Sequence, residues 1–382
     1  MTVEQVAVTD TEGRSWPIRA AADTALVLSD EERECLRDVA LELAVRHAGR
    51  PTALHLDDGE LMVDCKLRLL RGGPDRLLHA LTDFRYRSNS DGALLLRNLP
   101  IDDPLPLTPD EGNFDDWQRL RVASMTQLAV MNIVGDVISY ADEKAGRIIQ
   151  DVAPVPGAEK RQENSGSCFL ELHTEDGFHP QRPRFISLLG LRPDHDRVAL
   201  TLASGIMRAL VALDGGTRAV LARPLYRIRL ASSFVGDRED VYTGPVPVLT
   251  GSLTDPDLCV DFHAMVSDDA EGRRALDTLR RAMLSNLVGH VMEAGDLLIV
   301  DNDKAVHGRT GFAAHYDGED RWLRRAFAVP DLRRSSAGRL PSSHVHRPIF
   351  TQDDDRLRRP VVRPDNDTNL AMAERRPSFS LD

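Results

Sequence analysis

The chain has 382 residues and 42% of them are hydrophobic, enough for a sizeable core in one long domain or in two or three average ones. A formal net charge of −12 argues against sequence-independent binding to DNA or RNA, which requires a basic surface. The four cysteines are scattered without a Cys-x-x-Cys pair, and no signal peptide or long apolar run is visible, so we expect a cytoplasmic, non-membrane protein with free thiols.

The first part of the chain is predicted to be mainly helical. Residues 29–32 (Ser-Asp-Glu-Glu) are typical of a capping box, in which the serine and the second glutamate bind the first amides of a helix. We expect this helix to stop near Gly49. A second helix is predicted at about 73–84, a buried strand at 93–100 and a long helix at about 117–140.

Strands and loops dominate the prediction from residue 147 onward. Strands are predicted at 147–152, 168–175, 185–191 and 198–202, and residues 295–302 are predicted to be a turn followed by a buried strand. An amphipathic helix is predicted at about 271–292. The irregular stretch at about 215–247 contains a candidate lid at 232–245, for which a disordered insertion is an equally good interpretation. From Leu332 on, the Arg-, Ser- and Pro-rich sequence indicates surface packing or partial disorder.

The predicted strand at 168–175 carries the first candidate site. Side chains on a strand alternate between its faces, so His173 and Glu175 point to the same side. They would supply two of the three ligands of a 2-His-1-carboxylate facial triad, which holds Fe(II) and leaves positions open. With 12 histidines and 60 acidic residues in the chain, about two such His-x-acid pairs are expected by chance. The chain has three, at His55/Asp57, His173/Glu175 and His315/Asp317, and a solvated strand end is the alternative for each.

Two downstream segments favour the pair at His173 over the other two. The turn and strand at 295–302 lead to Val-His-Gly-Arg at 306–309, where His307 offers a second imidazole. Arg321 then begins a further strand, on which Arg321 and Arg325 share one face. Guanidinium groups bind carboxylates bidentately, as an oxygenase that uses 2-oxoglutarate requires for its cosubstrate.

Together these motifs resemble the clavaminate-synthase-like Fe(II)/2-oxoglutarate oxygenases, and within them the bacterial hydroxylases of free L-amino acids such as arginine, lysine and asparagine. The resemblance is carried by His-Thr-Glu-Asp at 173–176, Val-His-Gly-Arg at 306–309 and residues 316–325, and it covers roughly residues 90–335. It implies a mainly β fold with flanking helices and a double-stranded β-helix (jelly-roll) core. Residues 1–335 would then form a single oxygenase domain, with a helical part at about 28–145, the jelly-roll core at about 147–330 and a lid insertion at about 215–247, followed by a tail at 336–382.

The resemblance also implies how the iron and the cosubstrates are held. His173, Glu175 and His307 would be the Fe(II) ligands. Arg321 would bind the C5 carboxylate of 2-oxoglutarate, helped by the hydroxyl of Thr201. The keto-acid would chelate the metal and leave one position for O2.

On the substrate side, the resemblance implies that Arg325 holds the carboxylate of the amino acid and that Glu143 contacts its α-amino group. Arginine hydroxylases of this type place two acidic residues of a Val-Asp-x-Asp segment against the guanidinium. The matching stretch at 260–263 is Val-Asp-Phe-His, so Asp261 is kept and His263 replaces the second acid. One anion and a neutral imidazole favour an ammonium, ureido or amide group. A solvated glutamate and a structural histidine are the alternatives for Glu143 and His263.

The sequence therefore predicts an Fe(II)/2-oxoglutarate-dependent oxygenase that hydroxylates C3 or C4 of a free L-amino acid with a long polar side chain, such as arginine, lysine or citrulline. Desaturation at the same site, a carrier-bound or peptide substrate, and a non-catalytic jelly-roll metal sensor are the alternatives. Arg325 disfavours a carrier-bound substrate because a thioester has no free carboxylate. Arg321 and Thr201 disfavour the sensor, since a bare metal site needs no carboxylate clamp. The oligomeric state is not predicted.

Overall fold

The computed structural model describes residues 7–21, 25–49, 56–163 and 165–350, so His55 and the tail from 351 to 382 lie outside the described residues. The α-helices are α1 (Asp30–Arg46), α2 (Gly59–Gly72), α3 (Asp75–Arg87), α4 (Arg121–Val134), α5 (Ile206–Ala209), α6 (Gly215–Leu221), α7 (Ser232–Val235) and α8 (Ala270–Leu284). The strands are β1 (Ala7–Thr9), β2 (Ser15–Ala20), β3 (Leu26–Val27), β4 (Ala93–Arg97), β5 (Asp136–Tyr140), β6 (Ile149–Val152), β7 (Leu170–His173), β8 (Phe185–Arg192), β9 (Leu200–Gly205), β10 (Arg227–Ile228), β11 (Leu249–Ser252), β12 (Asp255–Leu258), β13 (Met265–Val266), β14 (Leu287–Val291), β15 (Leu297–Asp301), β16 (Ala305–Arg309), β17 (Trp322–Val329) and β18 (Val345–His346).

Two mixed sheets form the centre of the described structure. The smaller one has the strand order β1-β2-β14-β9-β16-β7, and the larger one has the order β18-β5-β17-β8-β15-β4-β3, with β6 also paired to β17. One apolar cluster joins the two sheets, with buried side chains from β4, β6, β8, β15 and β17 of the larger sheet and from β9, β14 and β16 of the smaller one. The sheets therefore face each other across a shared core.

Helices cover the outer faces of both sheets. Helices α1 to α4 pack on the larger sheet, and α5, α6 and α8 pack on the smaller one. Alternate side chains of strand β15 enter different apolar clusters. Leu297 and Ile299 belong to the cluster under the helices, whereas Leu298 and Val300 belong to the cluster between the sheets. The strand is apolar throughout because alternating side chains are buried on both of its faces.

The predicted capping box begins α1, and this prediction is confirmed. The Ser29 hydroxyl accepts a hydrogen bond from the Glu32 amide (3.2 Å), and the Glu32 carboxylate accepts one from the Ser29 amide (2.8 Å). The two bonds satisfy amides that have no partner within the helix. Helix α1 ends at Arg46, close to the predicted stop at Gly49.

Two predicted helix boundaries are wrong. The helix predicted at 117–140 ends at Val134 and is followed by β5, and the helix predicted at 271–292 ends at Leu284 and is followed by β14. A further helix, α2, was not predicted. At the first boundary the chain passes so close to β17 that a Cβ on Gly135 would lie 2.7 Å from the Val329 carbonyl oxygen. Apolar residues continue beyond both helix ends, and pairing with distant strands makes them extended.

Strands outside 147–330 belong to both sheets, with β1 and β2 in the smaller sheet and the others in the larger one. Strands β3, β4 and β5 precede this range, and β18 follows it in the segment predicted as a tail. His344 and His346 are buried there, with the His344 Nδ1 bonded to the Val137 carbonyl (2.7 Å). The stretch predicted as irregular at 215–247 contains the short helices α6 and α7. Within the described residues, no helix has the length and apolar character needed to span a bilayer.

Candidate active site

Strands β7 and β16 bring the two predicted histidine ligands together. His173 and His307 are direct partners across the two antiparallel strands, and their ring centroids are 4.4 Å apart. Glu175 follows β7, where its amide and carbonyl are held by the side chain of Asn302 at 2.8 and 3.0 Å. One carboxylate oxygen of Glu175 lies 3.3 Å from the Nε2 of His307. The potential ligand atoms of all three residues lie within 4.8 Å of one another.

The chemistry of these three side chains fits a divalent iron. The Nδ1 of His173 lies 2.8 Å from the Glu171 carbonyl oxygen, so it donates there and leaves Nε2 as the ligand atom. Burial, reinforced by the neighbouring His173, lowers the pKa of His307 and keeps its ring in the neutral, metal-binding form. Burial alone would raise the pKa of Glu175, but Arg325 and His307 outweigh it and hold the group as a carboxylate. Two neutral imidazoles and one carboxylate are the donor set of a facial triad.

Two buried arginines form a second part of the site. Arg321 donates from Nη2 to the Thr201 hydroxyl at 3.0 Å, and Thr201 of β9 is the strand partner of Arg309 on β16. Arg309 donates to the Cys168 carbonyl at 2.9 Å, and its Nε has no partner among the described residues. Burial, together with the charge of Arg309, lowers the pKa of Arg321 to about 9, and burial lowers the pKa of Arg309 to about 10. Adjacent buried cations of this kind suit a dianionic ligand.

Arg309 was not predicted as a site residue, although the sequence contains a signal for it. It stands two positions after His307 on a strand, so the two side chains share a face. A buried arginine next to a metal ligand, on the same face of one strand, indicates an anion close to the metal.

Arg325 lies at the centre of a third group. It is 2% exposed and donates from Nη1 to Glu175 at 2.8 Å and from Nη2 to Glu143, while its Nε donates to Gln150 at 3.1 Å. Gln150 of β6 is the strand partner of Arg325, and its Nε2 has no hydrogen-bond partner among the described residues. Gln150 was not predicted as a site residue, since its position depends on the pairing of β6 with β17.

Carboxyl groups outnumber cations around Arg325. Burial raises the pKa of Glu143, and the charge of Glu175 adds to this effect while Arg325 opposes it. Asp176, also missed in the sequence, is buried, and its pKa is raised well above the usual range by burial and by the charges of Glu143 and Glu175. Asp176 follows a predicted metal ligand directly, which is the signal that could have found it. The excess of carboxyl groups suits a site that receives a metal dication and an ammonium group.

The structure places Asp261 beside the candidate metal ligand His173 and places His263 at the surface. Asp261 and His173 form a β-bridge, and directly paired residues point to the same face. One oxygen of the Asp261 carboxylate accepts the amides of His263 (2.8 Å) and Ala264 (2.7 Å), which fixes its orientation. His263 itself is exposed.

Comparisons with known proteins identify the family of the chain. Residues 76–327 match the family model described as "Taurine catabolism dioxygenase TauD, TfdA family". The chain is 38% identical over 324 residues to the L-asparagine oxygenase of Streptomyces coelicolor, covering 84% of this chain and 94% of the relative. It is 34% identical over 277 residues to an L-lysine 3-hydroxylase of Catenulispora acidiphila, covering 71% of this chain and 76% of the relative.

A solved structure extends the similarity to the cofactors. The crystal structure of the non-heme iron oxygenase OrfP in complex with Fe and alpha-ketoglutaric acid (2-oxoglutarate) aligns with a TM-score of 0.74 and 30% identity, covering 84% of this chain and 99% of that one. The chain therefore belongs to the TauD/TfdA family and is an oxygenase that depends on Fe(II), 2-oxoglutarate and O2.

Proposed function

We propose that the chain hydroxylates C3 or C4 of a free L-amino acid with a long polar side chain, of the arginine, lysine or citrulline type. The observation that carries this proposal is the buried Arg325, which contacts Glu143 and Gln150 on one side and the metal-ligand candidate Glu175 on the other. A cation and a carboxylate side by side are complementary to the carboxylate and the ammonium of a zwitterion.

His173, Glu175 and His307 would hold the iron, which supplies the activation of O2 when it is bound together with 2-oxoglutarate. Arg321 would grip the distal carboxylate of 2-oxoglutarate, with the Thr201 hydroxyl orienting the guanidinium. The cosubstrate carboxylate offsets the cost of burying Arg321, because an anion favours the charged form of the guanidinium.

Arg325 would bind the carboxylate of the amino acid, and Glu143 would accept a hydrogen bond from its ammonium group. Because Arg325 also contacts Glu175 at 2.8 Å, an amino acid held there is anchored next to the metal. With this end fixed, the reacting carbon is selected by its distance from the anchor, and small displacements carry a large cost in rate.

Asp261 would recognise the far end of the substrate side chain. Its position opposite His173 puts it on the metal-binding face of β7, and two backbone amides already occupy one of its oxygens. The other oxygen suits a single donor group, such as an ammonium, a ureido or an amide group, better than a guanidinium that calls for two anions. Asparagine is a second candidate substrate, supported by the 38% identity to an L-asparagine oxygenase and by its terminal amide.

We also infer that the two facing sheets form a double-stranded β-helix within a single domain and that residues 232–245 act as the lid. The shared apolar cluster between the sheets supports the first inference. For the lid, Ser232 donates to Glu163 of the 153–167 loop at 2.8 Å, and Phe234 packs on Tyr140 at 5.7 Å between ring centroids. These contacts connect the segment to the loop before β7 and to the strand before Glu143.

The test is a panel of free arginine, lysine, citrulline, ornithine, asparagine and glutamine, incubated with the protein, Fe(II), 2-oxoglutarate and O2. We expect succinate formation together with a mass gain of one oxygen for at least one of them, and Arg325→Met should abolish both. A mass loss of two hydrogens would indicate desaturation instead. Silence across the panel, with 2-oxoglutarate still bound, would contradict the proposal and indicate a carrier-bound or peptide substrate.

A further inference from the structure

A second group of metal-binding side chains lies outside the active site. His315 and Asp317 belong to the loop between β16 and β17, and His195 belongs to the turn between β8 and β9. The Nε2 of His195 is 3.0 Å from a carboxylate oxygen of Asp317, and the rings of His195 and His315 stack with their centroids 4.0 Å apart. One ligand atom of each residue lies within 4.8 Å of the others, as in the iron site. All three residues are exposed to solvent.

Two buried carboxylates hold the segments that present these ligands. Asp320 accepts the amides of His315 (2.8 Å) and Tyr316 (2.5 Å), which fixes the loop. Asp194 accepts the amides of Val198 and Ala199, both at 2.9 Å, which fixes the turn next to His195. The backbone positions of the three ligands are therefore set by groups that are not themselves ligands.

The hydrogen bond between His195 and Asp317 uses only some of the nitrogen and oxygen atoms of these three side chains that could bind a metal. One carboxylate oxygen of Asp317 accepts the Glu319 amide (2.9 Å), and the other faces His195. The ring nitrogens of His315 make no hydrogen bond to any residue in the described part of the chain, although the ring stacks on His195. Zinc binds nitrogen and oxygen ligands at about 2.0–2.2 Å, so neighbouring ligands of a tetrahedral ion are roughly 3.3 Å apart. The His195–Asp317 separation is close to this value.

We propose that His195, His315 and Asp317 form a second metal site, distinct from the iron triad, for a borderline divalent cation such as Zn²⁺. Two imidazoles and a carboxylate suit Zn²⁺, Co²⁺ and Ni²⁺, and water would complete the coordination. A cation bound there ties the loop at 310–320 to the turn at 193–199. Asp320, which fixes this loop, directly precedes Arg321. The second site therefore also restrains the segment that carries Arg321, the residue proposed to bind 2-oxoglutarate.

Metal stoichiometry tests the proposal on the full chain without an affinity tag. In equilibrium dialysis against Zn²⁺ we expect two bound ions per wild-type chain and one in the His195→Gln/His315→Gln variant. A His173→Ala/His307→Ala variant should also bind one, since only the surface site remains. His79→Gln replaces an exposed histidine of α3 and serves as the matched control, expected to bind two. Equal stoichiometry in the wild type and the His195→Gln/His315→Gln variant would overturn the proposal.

A second measurement separates specific binding from loose association. Co²⁺ added to the His173→Ala/His307→Ala variant should give the visible absorption of a four-coordinate site, and Zn²⁺ should raise its Tm through linkage between binding and folding. Both effects should vanish when His195→Gln and His315→Gln are added, while circular dichroism without metal stays unchanged. Persistence of both effects in that combined variant would refute the site. Neither readout involves hydroxylation, so the outcome is independent of the proposed substrate.

Discussion

Replacing Arg321 by methionine separates cosubstrate binding from stability. The Arg321 guanidinium is 4% exposed, bonds Thr201, and has no carboxylate within ion-pair distance in the described part of the chain. In the proposed function its partner is the distal carboxylate of 2-oxoglutarate. Arg321→Met should therefore abolish tight binding of 2-oxoglutarate without unfolding the protein.

The two effects can be estimated separately. A bidentate guanidinium–carboxylate contact has two charge-assisted hydrogen bonds of about 1.5–3 kcal/mol each, so its loss weakens binding by about 10² to 10⁴-fold. Burial, together with the charge of Arg309, lowers the pKa of Arg321 well below its usual value, to about 9. The depressed pKa means that the charged Arg321 destabilises the folded protein below pH 9 when 2-oxoglutarate is absent, by at most about 4–5 kcal/mol. Arg321→Met removes this cost, so the Tm of the variant without cosubstrate should equal or exceed that of the wild type.

The assay is an anaerobic titration of the Fe(II)-loaded protein with 2-oxoglutarate, following the visible charge-transfer absorption, alongside thermal unfolding without cosubstrate. Arg324→Met is the matched control, in strand β17, which begins directly after Arg321. Arg324 faces the opposite side, where it bonds Ser124 (2.6 Å) and lies 3.3 Å from Asp151. Its loss should keep cosubstrate binding but destabilise the fold by about 3–5 kcal/mol, because a buried ion pair is broken. Normal 2-oxoglutarate affinity in Arg321→Met would refute the reasoning.

Three further substitutions test other parts of the site and fold. Thr201→Val removes one hydrogen bond to Arg321 and should raise the KM for 2-oxoglutarate about 10-fold in a succinate assay, with the amino-acid KM unchanged. Glu143→Gln keeps the shape of the side chain but removes the charge that faces the substrate ammonium. The KM for the amino acid should therefore rise about 10- to 100-fold while 2-oxoglutarate binding persists. An unchanged amino-acid KM would contradict this role. Burial, with the charge of Arg339 adding to it, lowers the pKa of His346 from 6.5 to about 4. The folded protein therefore favours the neutral ring, and this contribution to stability is fully present above pH 6.5. It amounts to about 3 kcal/mol and is lost as the pH falls from 6.5 through 4. Urea unfolding of His346→Phe should show a flatter dependence of the unfolding free energy on pH in that window, and an unaltered slope would contradict it.

Local periodicity explains why much of the site was predictable. Strand alternation indicates that Arg321, Leu323 and Arg325 share a face, and in the structure Leu323 lies in the cluster between the sheets while Arg325 reaches Glu175. The capping box at Ser29 depends on residues three positions apart, and it is present as predicted. Such signals are readable because they involve short distances along the chain.

Strand pairing over long sequence separations lies beyond that kind of inference. Gln150 enters the site because β6 pairs with β17, and Arg309 approaches Arg321 through Thr201, the Arg309 partner on β9. His315 stacks on His195, which lies much earlier in the chain, and this contact also depends on the tertiary structure.

The sequence by itself indicated the family and the candidate iron ligands through motifs that resemble those of known oxygenases, and strand period predicted the shared face of Arg321 and Arg325. Tertiary structure alone decided where helices α4 and α8 give way to strands β5 and β14, since those residues are apolar enough for either state. It also decided which carboxyl groups surround Arg325, because register between distant strands sets those distances.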